Sequence, residues 1–270
     1  MVEIVCLHSS QSSGAQWRAL KQQLSELLSD ARIHTPNLIG YARDGYDAAH
    51  VATQDFRLAD EIDALLALFE HIKIDANAVR NAAPQPLHLV GHSYGGAVAL
   101  RMARLLCQAG TPPASVCLYE PVAFHVLPAD DPARDEICAI SAQMDELSTA
   151  AATSAFVNYW NQPGYFEALP TKVQQGMLAK QAKVQADFAA LLNETAQLAD
   201  YQVIECPVLL MQGTQSPLSS RRVANLLASV LPNCTKVEVE AGHMAPLTAP
   251  DLVNPSIAKF IHEFSARTRA

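Results

Sequence analysis

Short apolar runs alternate along this chain with longer segments of helical period. The runs Val2–Leu7, Arg32–Thr35, Leu87–Val90, Ser115–Tyr119, Val208–Met211 and Thr235–Val239 are brief and aliphatic, and they predict strands. Between them, Trp17, Leu20, Leu24, Leu27 and Leu28 keep one helical face, as do Leu58, Ile62, Leu65, Leu66 and Phe69. Val253, Ile257, Phe260, Ile261 and Phe264 form a third stripe, and Pro250-Asp251 ahead of it is a helix-start signal. Strands separated by helices in this way predict an α/β protein, a mostly parallel sheet flanked by helices.

The rhythm stops between Ala123 and Gln202. That stretch is rich in Ala, Gln and Leu, contains no run that reads as a strand, and is punctuated by Pro163-Gly164 and Pro170. It predicts several helices inserted between two sheet strands. The expected division is a core of residues 1–122 and 203–270, with residues 123–202 as a helical cap. Insertions on a rigid scaffold commonly form lids and binding walls. The aromatic residues Phe124, His125, Phe156, Tyr159, Trp160, Tyr165 and Phe166 are therefore candidate walls, with Phe124, His125 and Trp160 the expected substrate contacts. Aromatic residues at this density more often pack than bind.

Composition narrows the class. A chain of 270 residues, 50% hydrophobic, is long enough to bury an internal pocket within one domain carrying an insertion. The formal net charge is −8, and no run of Lys or Arg supplies the electrostatic footprint of a nucleic-acid or membrane-surface binder. No stretch approaches the roughly 18 apolar residues of a membrane span. Met1–Leu7 enters a strand-like run directly, with no charged segment followed by a long apolar one, so no secretory signal is expected. The six cysteines (Cys6, Cys107, Cys117, Cys138, Cys206, Cys234) are scattered without CxxC pairs, which argues against zinc and against a disulfide framework. The expectation is a cytoplasmic monomer or homodimer acting on a small molecule, with no metal and no cofactor.

The strongest chemical signal is Gly91-His92-Ser93-Tyr94-Gly95, followed by Gly96. It directly follows the run Leu87–Val90 and precedes a helical stretch from Ala97 to Leu106. This is the context that a G-x-S-x-G nucleophile elbow requires: a sharp strand-to-helix turn lifts the hydroxyl above the sheet edge. Side chains two residues before or after the serine would collide with neighbouring backbone. The following helix points its amide groups at the site, favouring negative charge there.

A serine hydroxyl is a weak nucleophile at neutral pH and needs an adjacent base. His243, in Glu240-Ala241-Gly242-His243-Met244, follows the last predicted strand and is placed to reach the elbow. A lone histidine is more often structural than catalytic, but the other eight lie in strands, helices, ordinary loops or the elbow itself. A third segment, Leu7-His8-Ser9-Ser10-Gln11-Ser12-Ser13-Gly14, follows the first strand. Its small residues let backbone approach a substrate, and the amide of Ser10, or of Ser9 in second place, would complete an oxyanion hole with that of Tyr94. Ser9 and His92 are further substrate-contact candidates.

The order of these parts, with a strand and His-Ser-Ser loop, a GHSYGG elbow, a helical insertion and a terminal GHM, resembles the α/β-hydrolase superfamily over essentially the whole chain. Thr35-Pro36-Asn37-Leu38-Ile39-Gly40-Tyr41 also resembles that family's P-D-L-x-G-x-G loop. Some features depart from the pattern. The oxyanion loop has His8-Ser9 where the family usually has His-Gly, the P-D-L loop ends in Tyr41-Ala42, and the chain begins at what resembles the family's third strand. The family usually places its triad aspartate after the strand corresponding to Val208–Met211, where this chain reads Gly213-Thr214-Gln215-Ser216-Pro217. Some members instead take the acid from the end of the preceding core strand, which here is Glu120. A glutamate ending an apolar strand requires a partner, because burying it unpaired is costly, and an imidazolium is such a partner.

The resemblance implies acyl transfer to water, with Ser93 as nucleophile, His243 as base and Glu120 as the acid that holds its tautomer. Carboxylic esters are the favoured substrates. Carbon–carbon bond hydrolysis, metal-free perhydrolysis and a non-catalytic ligand-binding role are the alternatives, since fold alone does not fix function.

Overall fold

The computed structural model of the chain describes residues 1–41, 56–71 and 86–267. Ala42, at the end of the loop noted above, lies outside these residues. Six strands form one parallel sheet: β1 (Val2–Leu7), β2 (Ala31–His34), β3 (Leu87–His92), β4 (Ser115–Tyr119), β5 (Val208–Gly213) and β6 (Cys234–Val239), in the order β2-β1-β3-β4-β5-β6. Every predicted run overlaps one of them, although Thr35 falls outside β2, which begins one residue earlier at Ala31. Beyond the predicted ends, β3 continues through Gly91 and His92, and β5 through Gln212 and Gly213. These residues read locally as turn formers, but in-register neighbours hold them in the ladder: Leu7 pairs with Gly91, His92 with Tyr119 and Gly213 with Val239.

Side-chain alternation along the central strands builds two cores. Val5 and Leu7 of β1, Val116 and Leu118 of β4, and Val208 and Leu210 of β5 face one core. Val2, Ile4 and Cys6, Cys117 and Tyr119, and Leu209 and Met211 face the other. Helix α1 (Arg18–Leu27) and a long C-terminal helix (Pro250–Arg267) cover the second face through Leu20, Leu24, Val253, Ile257 and Ile261. Leu27 is 47% exposed and Leu66 36%, so both predicted stripes are too wide by one residue; Leu28 and Leu65 take the buried places beside them.

The first face carries α2 (Leu58–His71) and α3 (Tyr94–Gln108), the latter buried along most of its length. Between β4 and β5 the chain has no strand, and its α-helices are α4 (Pro132–Glu146), α5 (Thr149–Trp160), α6 (Tyr165–Ala168), α7 (Thr171–Leu178) and α8 (Gln181–Leu192). Asp131 starts α4 as its cap, accepting the Ala133 N–H at 3.0 Å ahead of Pro132 in the first turn. Then follow α9 (Leu218–Val230), the short α10 (Ala245–Thr248) and α11 (Pro250–Arg267). Because all strands run one way, the segments after β1, β3, β4 and β6 meet at a single edge of the sheet, where ligands bind in open α/β folds.

Candidate active site

Ser93 stands between β3 and α3 with φ 55° and ψ −121°, a conformation a side chain disfavours. The surroundings enforce it. A Cβ on Gly91 would lie 2.5 Å from the Gly95 carbonyl oxygen, and one on Gly95 would lie 2.4 Å from that of His8. Only glycine allows strand, turn and helix to approach this closely.

Glu120 follows β4 and also has a positive φ, 44°. Its fully buried carboxylate is held at both oxygens. Oε1 accepts the Gly213 N–H at 2.6 Å, and Oε2 lies 2.6 Å from Nδ1 of His243. A carboxylate only accepts, so Nδ1 carries the hydrogen and Nε2 is left as an acceptor. That nitrogen is 2.9 Å from Ser93 Oγ. Ser216, in the place where the family pattern has its aspartate, is 5% exposed, and its hydroxyl has no hydrogen-bond partner among the described residues.

A cavity of about 130 Å³ opens beside Ser93 and His243. Ser9, Ser10, Gln11 and Ser12 form one wall, and Phe156, Trp160, Met177 and Leu247 form another. Among the described residues that line it there is no Lys, Arg, Asp or Glu. Ser9 and Trp160 thus stand where substrate contact was expected, and Trp160 also lies on the His243 ring, centroid to centroid 4.0 Å.

Three expected contacts are corrected. His92 is fully buried and faces away from this cavity. Its Nε2 donates to the His243 carbonyl at 2.8 Å, its Nδ1 accepts from Gln16 Nε2 at 3.1 Å, and burial drives its pKa well below the ordinary value. Phe124 is fully buried behind Trp160, stacked at 6.4 Å, because the short helical turn after β4 directs it into the core. His125 turns to the Tyr201 hydroxyl, 2.7 Å away, and is likewise not a wall of the cavity.

Sequence reasoning missed Gln16. Its Oε1 accepts both the N–H and the hydroxyl of Ser9, at 3.1 and 3.0 Å, while its Nε2 reaches His92. The loop after β1 is thereby joined, through Gln16 and His92, to the backbone of His243. Since the Ser9 amide is taken up by Gln16, it does not serve the cavity; Ser10, beside it, lines the cavity with Ser93. Tyr94 opens α3, where the first amides of a helix have no intrahelical partner.

A parallel sheet whose carboxyl edge gathers a strained serine, a buried histidine and a buried glutamate defines a class of protein, and the comparisons agree. A profile of the Alpha/beta hydrolase family matches residues 4–255. The chain belongs to this family. Among curated proteins none matches its sequence. Among solved structures it is similar to a hydrolase from Oleispira antarctica (TM-score 0.72, 16% identity, covering 97% of this chain and 91% of that one). It is also similar to a thermophilic esterase from Thermogutta terrifontis (0.69, 19%, 98% and 91%). A third is an enol-lactonase from Burkholderia xenovorans LB400 (0.67, 16%, 97% and 90%). At these identities the likeness is one of fold. No described helix is long and apolar enough to cross a membrane.

Proposed function

We propose that this chain is a serine hydrolase that cleaves small, uncharged carboxylic esters through an acyl-enzyme. The observation that carries the reading is the unbroken line Glu120 Oε2, His243 Nδ1, His243 Nε2, Ser93 Oγ, at 2.6 and 2.9 Å, ending beside a cavity. Ser93 Oγ attacks the carbonyl carbon while its proton passes to His243 Nε2, and the carbonyl π pair moves onto oxygen. The amides of Ser10 and Tyr94 hold that oxyanion. Collapse expels the alkoxide, which takes the proton from Nε2. Water then repeats the attack on the acyl-enzyme, releasing the acid and restoring Ser93. Glu120 keeps the imidazole in the useful tautomer and balances its charge.

The described lining residues carry no ionic group, which favours an uncharged acyl group, and the limited volume favours a short one. A purely ligand-binding role gives no reason for a proton path between Ser93 and His243. The test is labelling with a fluorophosphonate and mapping the adduct by mass. An adduct on Ser93 that is lost in His243→Ala, with 4-nitrophenyl esters of short acyl chain turned over fastest, supports the proposal. A chain that hydrolyses no ester and takes no label at Ser93 ends it.

A further inference from the structure

The two amides assigned to the oxyanion belong to Ser10 and Tyr94, and the side chains of both residues end in one buried ionic cluster. Ser10 Oγ donates to Asp187 Oδ2 at 2.6 Å, and Tyr94 OH donates to Glu61 Oε1 at 3.1 Å. Lys183 joins the two carboxylates, its Nζ donating to Glu61 Oε1 at 3.0 Å and also to Asp187 Oδ1. Tyr41 OH adds a donor to Asp187 Oδ2 at 2.5 Å, and the Ile39 N–H one to Glu61 Oε2 at 3.1 Å. Glu61, Lys183 and Asp187 are 1%, 2% and 0% exposed.

Lys183 and Asp187 stand one turn apart on α8, so the inserted helices supply the anchor. Lys180, on the turn before, places Nζ 3.4 Å from the carbonyls of Gln11 and Ser12, and Gln11 Nε2 reaches the Met177 carbonyl at 3.4 Å. Gln11, next to Ser10, has φ 59°. Such strain persists only where the surroundings over-determine it, and here part of those surroundings comes from α7 and α8.

An ionic cluster is a poor way to gain stability, because well-packed apolar residues of similar volume usually do as well or better. Burial pushes the Glu61 carboxyl above its ordinary range, although Lys183 opposes this. What short charge-assisted hydrogen bonds do supply is fixed orientation.

We propose that Asp187, with Lys183, is a positioning residue: from α8 it holds Ser10, and through Glu61 it holds Tyr94, so that both amides face the oxyanion only while α8 is docked. This rests on the reading of Ser10 and Tyr94 as the donors. The test uses 4-nitrophenyl butyrate with active sites counted by fluorophosphonate titration. Asp187→Ala and Ser10→Ala, the second of which keeps its amide, are each expected to lower kcat per titrated site by about 10- to 100-fold. KM should change by less than about 3-fold, the mark of an interaction made in the transition state. The double variant should be no worse than about 2-fold below the weaker single, because Ser10→Ala removes a contact that Asp187→Ala has already removed. A kcat per site unchanged in the singles, or a double variant equal to their product, overturns the proposal. Where Asp187→Ala folds poorly, Asp187→Asn keeps the shape and loses the charge, and an unchanged kcat per site there overturns the proposal equally. No label at Ser93 in the unaltered chain overturns the serine-hydrolase reading as well, a result distinct from the others.

Discussion

The indole of Trp160 lies on the imidazole of His243, with ring centroids 4.0 Å apart and planes 31° from parallel. Trp160 ends α5, between β4 and β5, whereas His243 follows β6, so the stack joins segments remote in sequence. Phe124, Phe156 and Tyr159 pack on the same indole and fix it in place. An indole face attracts a cation by about 0.5–2 kcal/mol. In the proposed mechanism, where His243 takes the proton of Ser93, the stack therefore favours the charged ring. Trp160→Leu is expected to lower kcat/KM for 4-nitrophenyl butyrate by roughly 2- to 30-fold, and Trp160→Phe to keep most of the activity. A Leu variant with unaltered kcat/KM would mean that the ring only packs.

Glu120 and Ser216 give a second comparison. Glu120 is clamped between the Gly213 amide and His243, while the Ser216 hydroxyl bonds to nothing described. Glu120→Gln should cut kcat by about 10³- to 10⁴-fold, as loss of the tautomer-holding acid does elsewhere. Ser216→Ala should change it by less than about 2-fold. Adding Ser216→Asp to Glu120→Gln should recover part of the loss, since a carboxylate at 216 lies at the end of the neighbouring strand. Steady-state kinetics on one ester decide, and the opposite ranking of the two single variants moves the acid role away from Glu120.

What the chain reveals before any coordinates follows from which constraints are local. The elbow is legible because the backbone approach at Gly91 and Gly95 admits no side chain. His243 is legible from its place after the last strand, and Glu120 from being an acid at the end of an apolar strand. The direction a side chain takes is not local. His92 adjoins Ser93 yet lies behind the site, and Phe124 opens the insertion yet points into the core. Gln16, Lys183 and Asp187 are not legible because the partners that tie them to the site, His92, Glu61 and Ser10, are remote from them in sequence. A Lys and an Asp four residues apart on a helix look like any solvated pair until the chain closes around them.

The bridge through Gln16 predicts a coupled defect. Gln16→Leu leaves the Ser9 N–H and hydroxyl and the His92 Nδ1 without their partner in a buried site. Each stranded polar group costs about 1–3 kcal/mol, so a loss of roughly that size or more is expected in urea unfolding. Because the bridge ends on the His243 carbonyl, kcat should fall along with stability. Gln16→Glu, which keeps the acceptor for Ser9 but loses the donor to His92, should separate the two ends. A Leu variant as stable and active as the unaltered chain would show that the bridge is dispensable.

Buried histidines, His8 and His88 among them, contribute to the response of the fold to acid. His8 accepts the Leu38 N–H at Nε2, at 3.0 Å, and donates from Nδ1 to the Ser9 carbonyl at 2.8 Å. His88 in β3 lies between the hydroxyls of Ser115 and Ser265, at 2.7 and 3.0 Å. Burial lowers the pKa of each to about 4 from 6.5. Between those values the unfolded chain binds protons that the folded chain does not. The contribution of these two histidines therefore falls as pH drops below about 6.5 and levels off below about 4, with a limit near 3 kcal/mol for each. Glu61, whose carboxyl is raised by burial, acts in the opposite sense, adding stability that is lost as pH rises. A variant isolates the histidine contribution. His88→Gln should be less stable than the unaltered chain at pH 8 yet lose less on going to pH 5, as measured by the urea midpoint. Equal losses in the two proteins would mean that His88 does not carry this proton linkage.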